Sequence, residues 1–123
     1  MRYLTDRKRV TGLGASRAGT QHHWQMLVSS ILLMGAIPVV VITFAAVLGG
    51  NHAEVLAFFN RPLIALVTML SLTAVIWHVM QESIEAIEDY VHGIKGKLSL
   101  IAVRVFGYGL IAAAVLAVLR MAL

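Results

Sequence analysis

Residues 26–48 run for 23 amino acids without a formal charge, and only Ser29, Ser30 and Thr43 interrupt their apolar character. A bilayer core about 30 Å thick is crossed by about 20 residues of helix. In lipid the backbone N–H and C=O groups must find partners within the segment, which a helix provides. Two further runs have the same character. Residues 62–81 are uncharged over 20 positions, and residues 98–119 hold one charge, Arg104. Of the 123 residues, 13% are charged, against about 25% in a soluble domain. That excludes an ordinary globular enzyme folding alone in water. The expected fold is all-α: an integral membrane protein with three transmembrane helices. It is expected to be one membrane domain over 1–123, with a polar segment over 1–25 and helices over about 26–48, 62–90 and 98–119.

Local signals refine this outline. Pro38 frees the carbonyl of Met34 and predicts a kink in the first helix. Gly49, Gly50, Asn51 and His52 form a link to a brief amphipathic stretch ending at Asn60. The second helix is expected to continue past the apolar run through Glu82, Glu85, Glu88, Asp89 and Tyr90, until Gly93 and Gly96 break it. The first apolar run is too long for a signal peptide, starts too far in and lacks an A-x-A site, so an uncleaved anchor is expected.

Lys and Arg set the orientation. Arg2, Arg7, Lys8, Arg9 and Arg17 precede the first helix, Lys95 and Lys97 join the second to the third, and Arg104 is close by. Only Arg61 and Arg120 fall on the other side. The positive-inside rule then places the N-terminus in the cytoplasm (or matrix) and the C-terminus outside, with Trp24 and Trp77 both at the inner interface. The basic residues cluster at the N-terminus rather than along a folded face, so nucleic-acid binding is not expected. The chain has no cysteine, which excludes disulfides, thiolate metal sites and Cys-held iron–sulfur clusters within it. Small residues such as Gly107, Gly109 and Ala112–Ala114 permit close helix contact, and a partner chain is expected.

Ionisable groups at membrane depth are costly and mark candidate sites. His78 is one, about a turn inside the end of the second apolar run. It reads either as a haem-iron ligand or as an interfacial histidine bonded to a neighbouring helix. Ser71 lies a heptad before it and Glu85 a heptad after, and Asp89 returns within about 20° of the same face. That stripe also reads simply as the solvated end of a long helix. His92 is about 21 Å further along, beyond reach of the same iron. His52 sits across the membrane, and His22 and His23 precede the first helix at too shallow a level. A six-coordinate haem then needs its second histidine from another subunit. Arg104 meets a propionate or a quinone carbonyl, or snorkels to the interface. No nucleophile–base pair or phosphate loop is present, and Gly12-x-Gly14 lacks the strand that would give it meaning.

His78, ten intervening residues and then Asp89–Tyr90, at the inner end of the second of three helices, resemble the hydrophobic membrane anchor family of succinate dehydrogenase, respiratory complex II. Gly14–Ala15–Ser16 and His22–His23–Trp24 resemble that family's G-S-A followed by H-H-W-W. Gln25 replaces the second Trp, Val28 stands at an Arg position and Ser30 at a Thr position, which leaves any Arg contribution unassigned. The resemblance covers roughly residues 12–120. It implies that His78 is an axial ligand of haem b, opposite a histidine of the cytochrome b556 anchor subunit. It also implies that Tyr90 hydrogen-bonds ubiquinone, with Asp89 near that site and assisting protonation. The implied partners are a flavoprotein with FAD, an iron–sulfur subunit that holds the clusters, and the lipid bilayer. The expected location is a bacterial inner membrane in preference to a mitochondrial one. Rival readings are the anchor of a quinol:fumarate reductase, a cofactor-free membrane scaffold, and a homodimeric cytochrome b in which two copies of His78 share one haem.

Overall fold

Three long helices carry the chain. In the computed structural model, which describes residues 3–14 and 19–123, they are α2 (Gly19–Val47), α4 (Pro62–Tyr90) and α5 (Gly93–Ala122). Two short helices, α1 (Asp6–Thr11) and α3 (His52–Phe59), complete the order. Arg2, Ala15, Ser16 and Arg17 lie outside the described residues. Helices α2, α4 and α5 are each long and apolar enough to cross a membrane.

The helices outrun the apolar runs that predict them. α2 starts at Gly19 rather than at residue 26, because the polar residues before the apolar run, from Thr20 to Gln25, carry no helix breaker. It also continues through Pro38 as one helix. α5 starts at Gly93 rather than at residue 98 and extends to Ala122. Of the two glycines expected to break the chain there, only Gly93 does so. It holds φ +75°, a left-handed value that glycine adopts without strain. Gly96 is buried inside α5, where a Cβ would lie 3.1 Å from the carbonyl carbon of Val91 and collide with its oxygen. The turn between α4 and α5 therefore needs glycine twice, for a conformation at Gly93 and for clearance at Gly96.

At the opposite end, the link over residues 49–51 feeds α3 through a capping box. Asn51 Oδ1 accepts from the Glu54 N–H at 2.9 Å, and Glu54 Oε2 accepts from the Asn51 N–H at 3.0 Å, which satisfies two otherwise orphaned donors. Phe59, 2% exposed, anchors α3 and stacks edge-on against Phe58 with ring centroids 5.3 Å apart. Pro62 then opens α4, where its missing N–H costs nothing.

α4 is the central helix. It packs against α2 on one side and α5 on the other, and among the described residues α2 and α5 do not touch. The sequence explains the division. Met80 and Ile84 are buried toward α5, whose Gly96, Gly107 and Val118 recur every 11 residues, about three turns, and so line one face. A Cβ on Gly107 would collide with Met80 Sδ and lie 2.7 Å from its Cγ; glycine here is what lets the helices approach. Gly109 would meet nothing within 4 Å and plays no such part. Toward α2, α4 presents Ser71, His78 and Glu85, met by the buried Met26, Ser29 and Ala36. Most hydroxyls in the spans bond back to their own helix, as Thr73 does to the Met69 carbonyl at 2.8 Å. Thr68 is fully buried and its Oγ1 has no partner among the described residues.

Candidate functional site

The polar line on α4 that faces α2 is the chemically distinctive part of the molecule. Antiparallel packing pairs each of its members with a residue of α2. Glu85 Oε1 lies 2.7 Å from His22 Nε2. Two turns deeper, His78 Nδ1 lies 2.7 Å from Ser29 Oγ. Deeper again, Ser71 is buried in a groove with Leu32, Gly35, Ala36 and Val39. The heptad spacing of Ser71, His78 and Glu85 thus marks a helix–helix contact face rather than a solvated one.

His78 is well enclosed, with a side chain 13% exposed. Its ring is held on two sides. Ser29 sits at Nδ1, and the Glu82 carboxylate, one turn on, is 3.5 Å from Nε2. That distance is beyond a good hydrogen bond, and Glu82 is 59% exposed, so its carboxylate is a loose neighbour of Nε2 with room to move into water. With Ser29 on Nδ1 and only the flexible Glu82 side chain near Nε2, the ring can offer Nε2 as a metal ligand once that side chain moves aside. Among the described residues no three His, Cys, Asp or Glu side chains converge, so His78 offers one ligand and not a complete ion site.

Beside Ser29 runs a groove of about 550 Å³, lined by Trp24, Val28, Leu32, Leu70, Ala74 and Trp77 among others. It is almost entirely apolar, of a size that takes organic ligands. The two tryptophans, expected at one interface, line this one groove.

Asp89 and Tyr90 end α4 and are exposed, Tyr90 by 85%. They project past the start of α2 and do not meet His78 within this chain; about 16 to 18 Å of helix separates them. His22 sits at the level of Glu85, and His92 caps α5, so neither is beside His78. Arg104 is exposed on α5, about three turns from its start, and makes no hydrogen bond or ion pair among the described residues. Sequence reasoning missed Ser29, Glu82 and the His22–Glu85 pair. The serine was visible as a polar interruption of an apolar run, but only the register of α2 on α4 shows what it meets.

A family model described as succinate dehydrogenase/fumarate reductase transmembrane subunit matches residues 1–120. The succinate dehydrogenase hydrophobic membrane anchor subunit of Paracoccus denitrificans is 41% identical over 123 residues, which is 100% of this chain and 95% of that relative. No solved structure matches.

Proposed function

Because the chain belongs to the succinate dehydrogenase/fumarate reductase transmembrane subunit family, we propose that it is the hydrophobic anchor of a succinate:ubiquinone oxidoreductase. In this reading it supplies one axial ligand of haem b and part of the ubiquinone site, and electrons from succinate oxidation pass through it to quinone.

The single observation that carries the reading is the enclosed His78, with Nδ1 bonded to Ser29 and Nε2 faced only by the exposed Glu82 side chain at 3.5 Å. The donor chemistry fits haem iron, which takes an imidazole nitrogen. Haem b, when bound, supplies a one-electron relay whose potential its ligands and their hydrogen bonds set. His78 holds it from this side. A second histidine would have to come from another subunit, since His22 is bonded at the level of Glu85 and His92 lies about 21 Å along the chain; the resemblance makes that subunit cytochrome b556.

Tyr90 and Asp89 serve the quinone. The exposed Tyr90 phenol donates its O–H to a quinone carbonyl, whose oxygen becomes more basic as electrons arrive, and Asp89 beside it assists protonation. Their exposure supports a pocket completed by partner chains at this end of the bundle. The flavoprotein with FAD and the iron–sulfur subunit belong on the same side; a chain without cysteine leaves the clusters to that partner. Positive charge at Arg7, Lys8, Arg9, Lys95 and Lys97 supports placing this side in the cytoplasm, with the C-terminus outside. The Paracoccus relative supports a bacterial membrane, here the inner one.

The test is a dithionite-reduced minus oxidised spectrum of the detergent-solubilised native complex. His78→Ala is expected to lose the b-type signal or shift it. Tyr90→Phe is expected to keep the spectrum and slow quinone reduction. An unchanged spectrum in His78→Ala refutes the ligand assignment, and unchanged turnover in Tyr90→Phe removes the tyrosine from the quinone site.

A further inference from the structure

Ser29 is 8% exposed in the contact between α2 and α4, and its Oγ has two partners. It lies 2.9 Å from the Met26 carbonyl oxygen, one turn back on its own helix, and 2.7 Å from His78 Nδ1. A serine has one hydroxyl proton and two lone pairs. A carbonyl oxygen accepts but never donates, so the bond to Met26 uses that proton. The lone pairs then face His78, and the bond between the two side chains runs from the Nδ1–H to Ser29 Oγ. In that tautomer the free lone pair of the imidazole is on Nε2.

We infer that Ser29 is the positioning residue of the haem ligand: by accepting from Nδ1–H it fixes the tautomer and rotation of His78, so that Nε2 is offered to iron. The inference rests on the haem reading of His78 given above. It goes further by assigning a role to a residue on another helix, and by coupling the α2–α4 contact to the electronics of the iron. An acceptor on Nδ1–H makes the imidazole a stronger donor through Nε2. A stronger donor favours the ferric state, so the serine holds the midpoint potential lower than an unsupported histidine would. The hydroxyl is a weaker acceptor than a carboxylate, and its effect is a trimming of the potential rather than a large displacement. Glu82, the other polar group at the ring, stands 3.5 Å from Nε2 on an exposed side chain, so it can swing into water when that nitrogen is used.

The same turn provides a control. Ser30 also donates to the Met26 carbonyl, at 2.8 Å, but does not touch His78. Ser29→Ala, Ser30→Ala and His78→Ala are made in the complete native complex. Three readouts are taken: haem loss to an excess of apoprotein acceptor, redox titration of the b-type band, and thermal stability of the complex. Ser29→Ala is expected to keep the b-type band, weaken haem retention about 10- to 100-fold and raise the midpoint potential. Ser30→Ala is expected to leave both unchanged. A Ser29→Ala complex with wild-type haem retention and potential overturns the positioning role, and one that is only less heat-stable does so too. In either case, loss of haem in His78→Ala keeps the ligand reading intact. A wild-type spectrum in His78→Ala overturns the ligand reading and this inference together.

Discussion

Gly107→Ala asks how closely α4 and α5 are obliged to approach. The added Cβ collides with Met80 Sδ and stands 2.7 Å from Met80 Cγ and 3.2 Å from its Cβ. A groove of about 280 Å³ beside the pair gives the sulfur somewhere to turn. Cγ can move only by turning χ1 in a site where Met80 is 3% exposed, and Cβ is fixed to the backbone of α4, so the helices must also give by a few tenths of an ångström. Overpacking of this kind costs about 1–3 kcal/mol. Alanine is also the better helix former, by about 1 kcal/mol, so the net loss falls to about 0–2 kcal/mol. Gly109→Ala isolates the collision, because nothing lies within 4 Å of its added Cβ and it carries the propensity gain alone. The two variants are therefore expected to differ by about 1–3 kcal/mol. The assay is equilibrium unfolding of the purified chain in mixed micelles with increasing dodecyl sulfate, followed by far-ultraviolet circular dichroism. Pairing Gly107→Ala with Met80→Ala is expected to recover about 1 kcal/mol or more relative to the sum of the single changes, as contacting residues do. Equal stability of the Gly107 and Gly109 variants, together with strict additivity, refutes the argument from close approach.

The same titration checks three further substitutions. Gly96→Ala is expected to cost more than Gly107→Ala, because its Cβ meets the Val91 main chain, which has no rotamer to change. Thr68→Val is expected to be neutral or stabilising by about 1 kcal/mol, since it replaces a buried hydroxyl without a partner by a methyl of similar shape; a clear loss would point to a bonding partner for that oxygen. His22→Ala is expected to cost under about 1 kcal/mol, because the pair is 44% and 42% exposed and such pairs contribute little. It should also leave the haem spectrum unchanged, and a loss of haem in this variant would make His22 part of the haem site.

The spans were legible because lipid imposes one demand on every residue, and a run such as 26–48 answers it in only one way. Their ends were not. Around residues 19–25 and 93–97 the chain leaves the apolar run while the helix continues, and composition marks the first event and not the second. Gly96 shows the difficulty: a glycine reads as a breaker in sequence, yet here it is a spacer within a helix. The candidate site was legible in the same partial way. His78 stood out as an ionisable group in an apolar run, and its heptad partners defined a face. What that face meets depends on the offset between two antiparallel helices, a tertiary quantity with no local signal. Ser29 and the His22–Glu85 pair therefore became visible only in three dimensions. Tyr90 was singled out by resemblance and Asp89 by helical spacing as well, and both sit at the exposed end of α4.

That turn has only Val91 and His92 between two long helices. Val91 still closes α4, its N–H donating to the Ile87 carbonyl at 2.8 Å, and His92 already caps α5. The corner between α4 and α5 at Tyr90 is made of helix ends rather than of a loop. A protein that docks on that corner meets only a two-residue turn to immobilise, at little cost in chain entropy. Association should then behave as the meeting of two rigid surfaces. Lengthening the turn with a few flexible residues should loosen the assembled complex without disturbing a single contact across its interface.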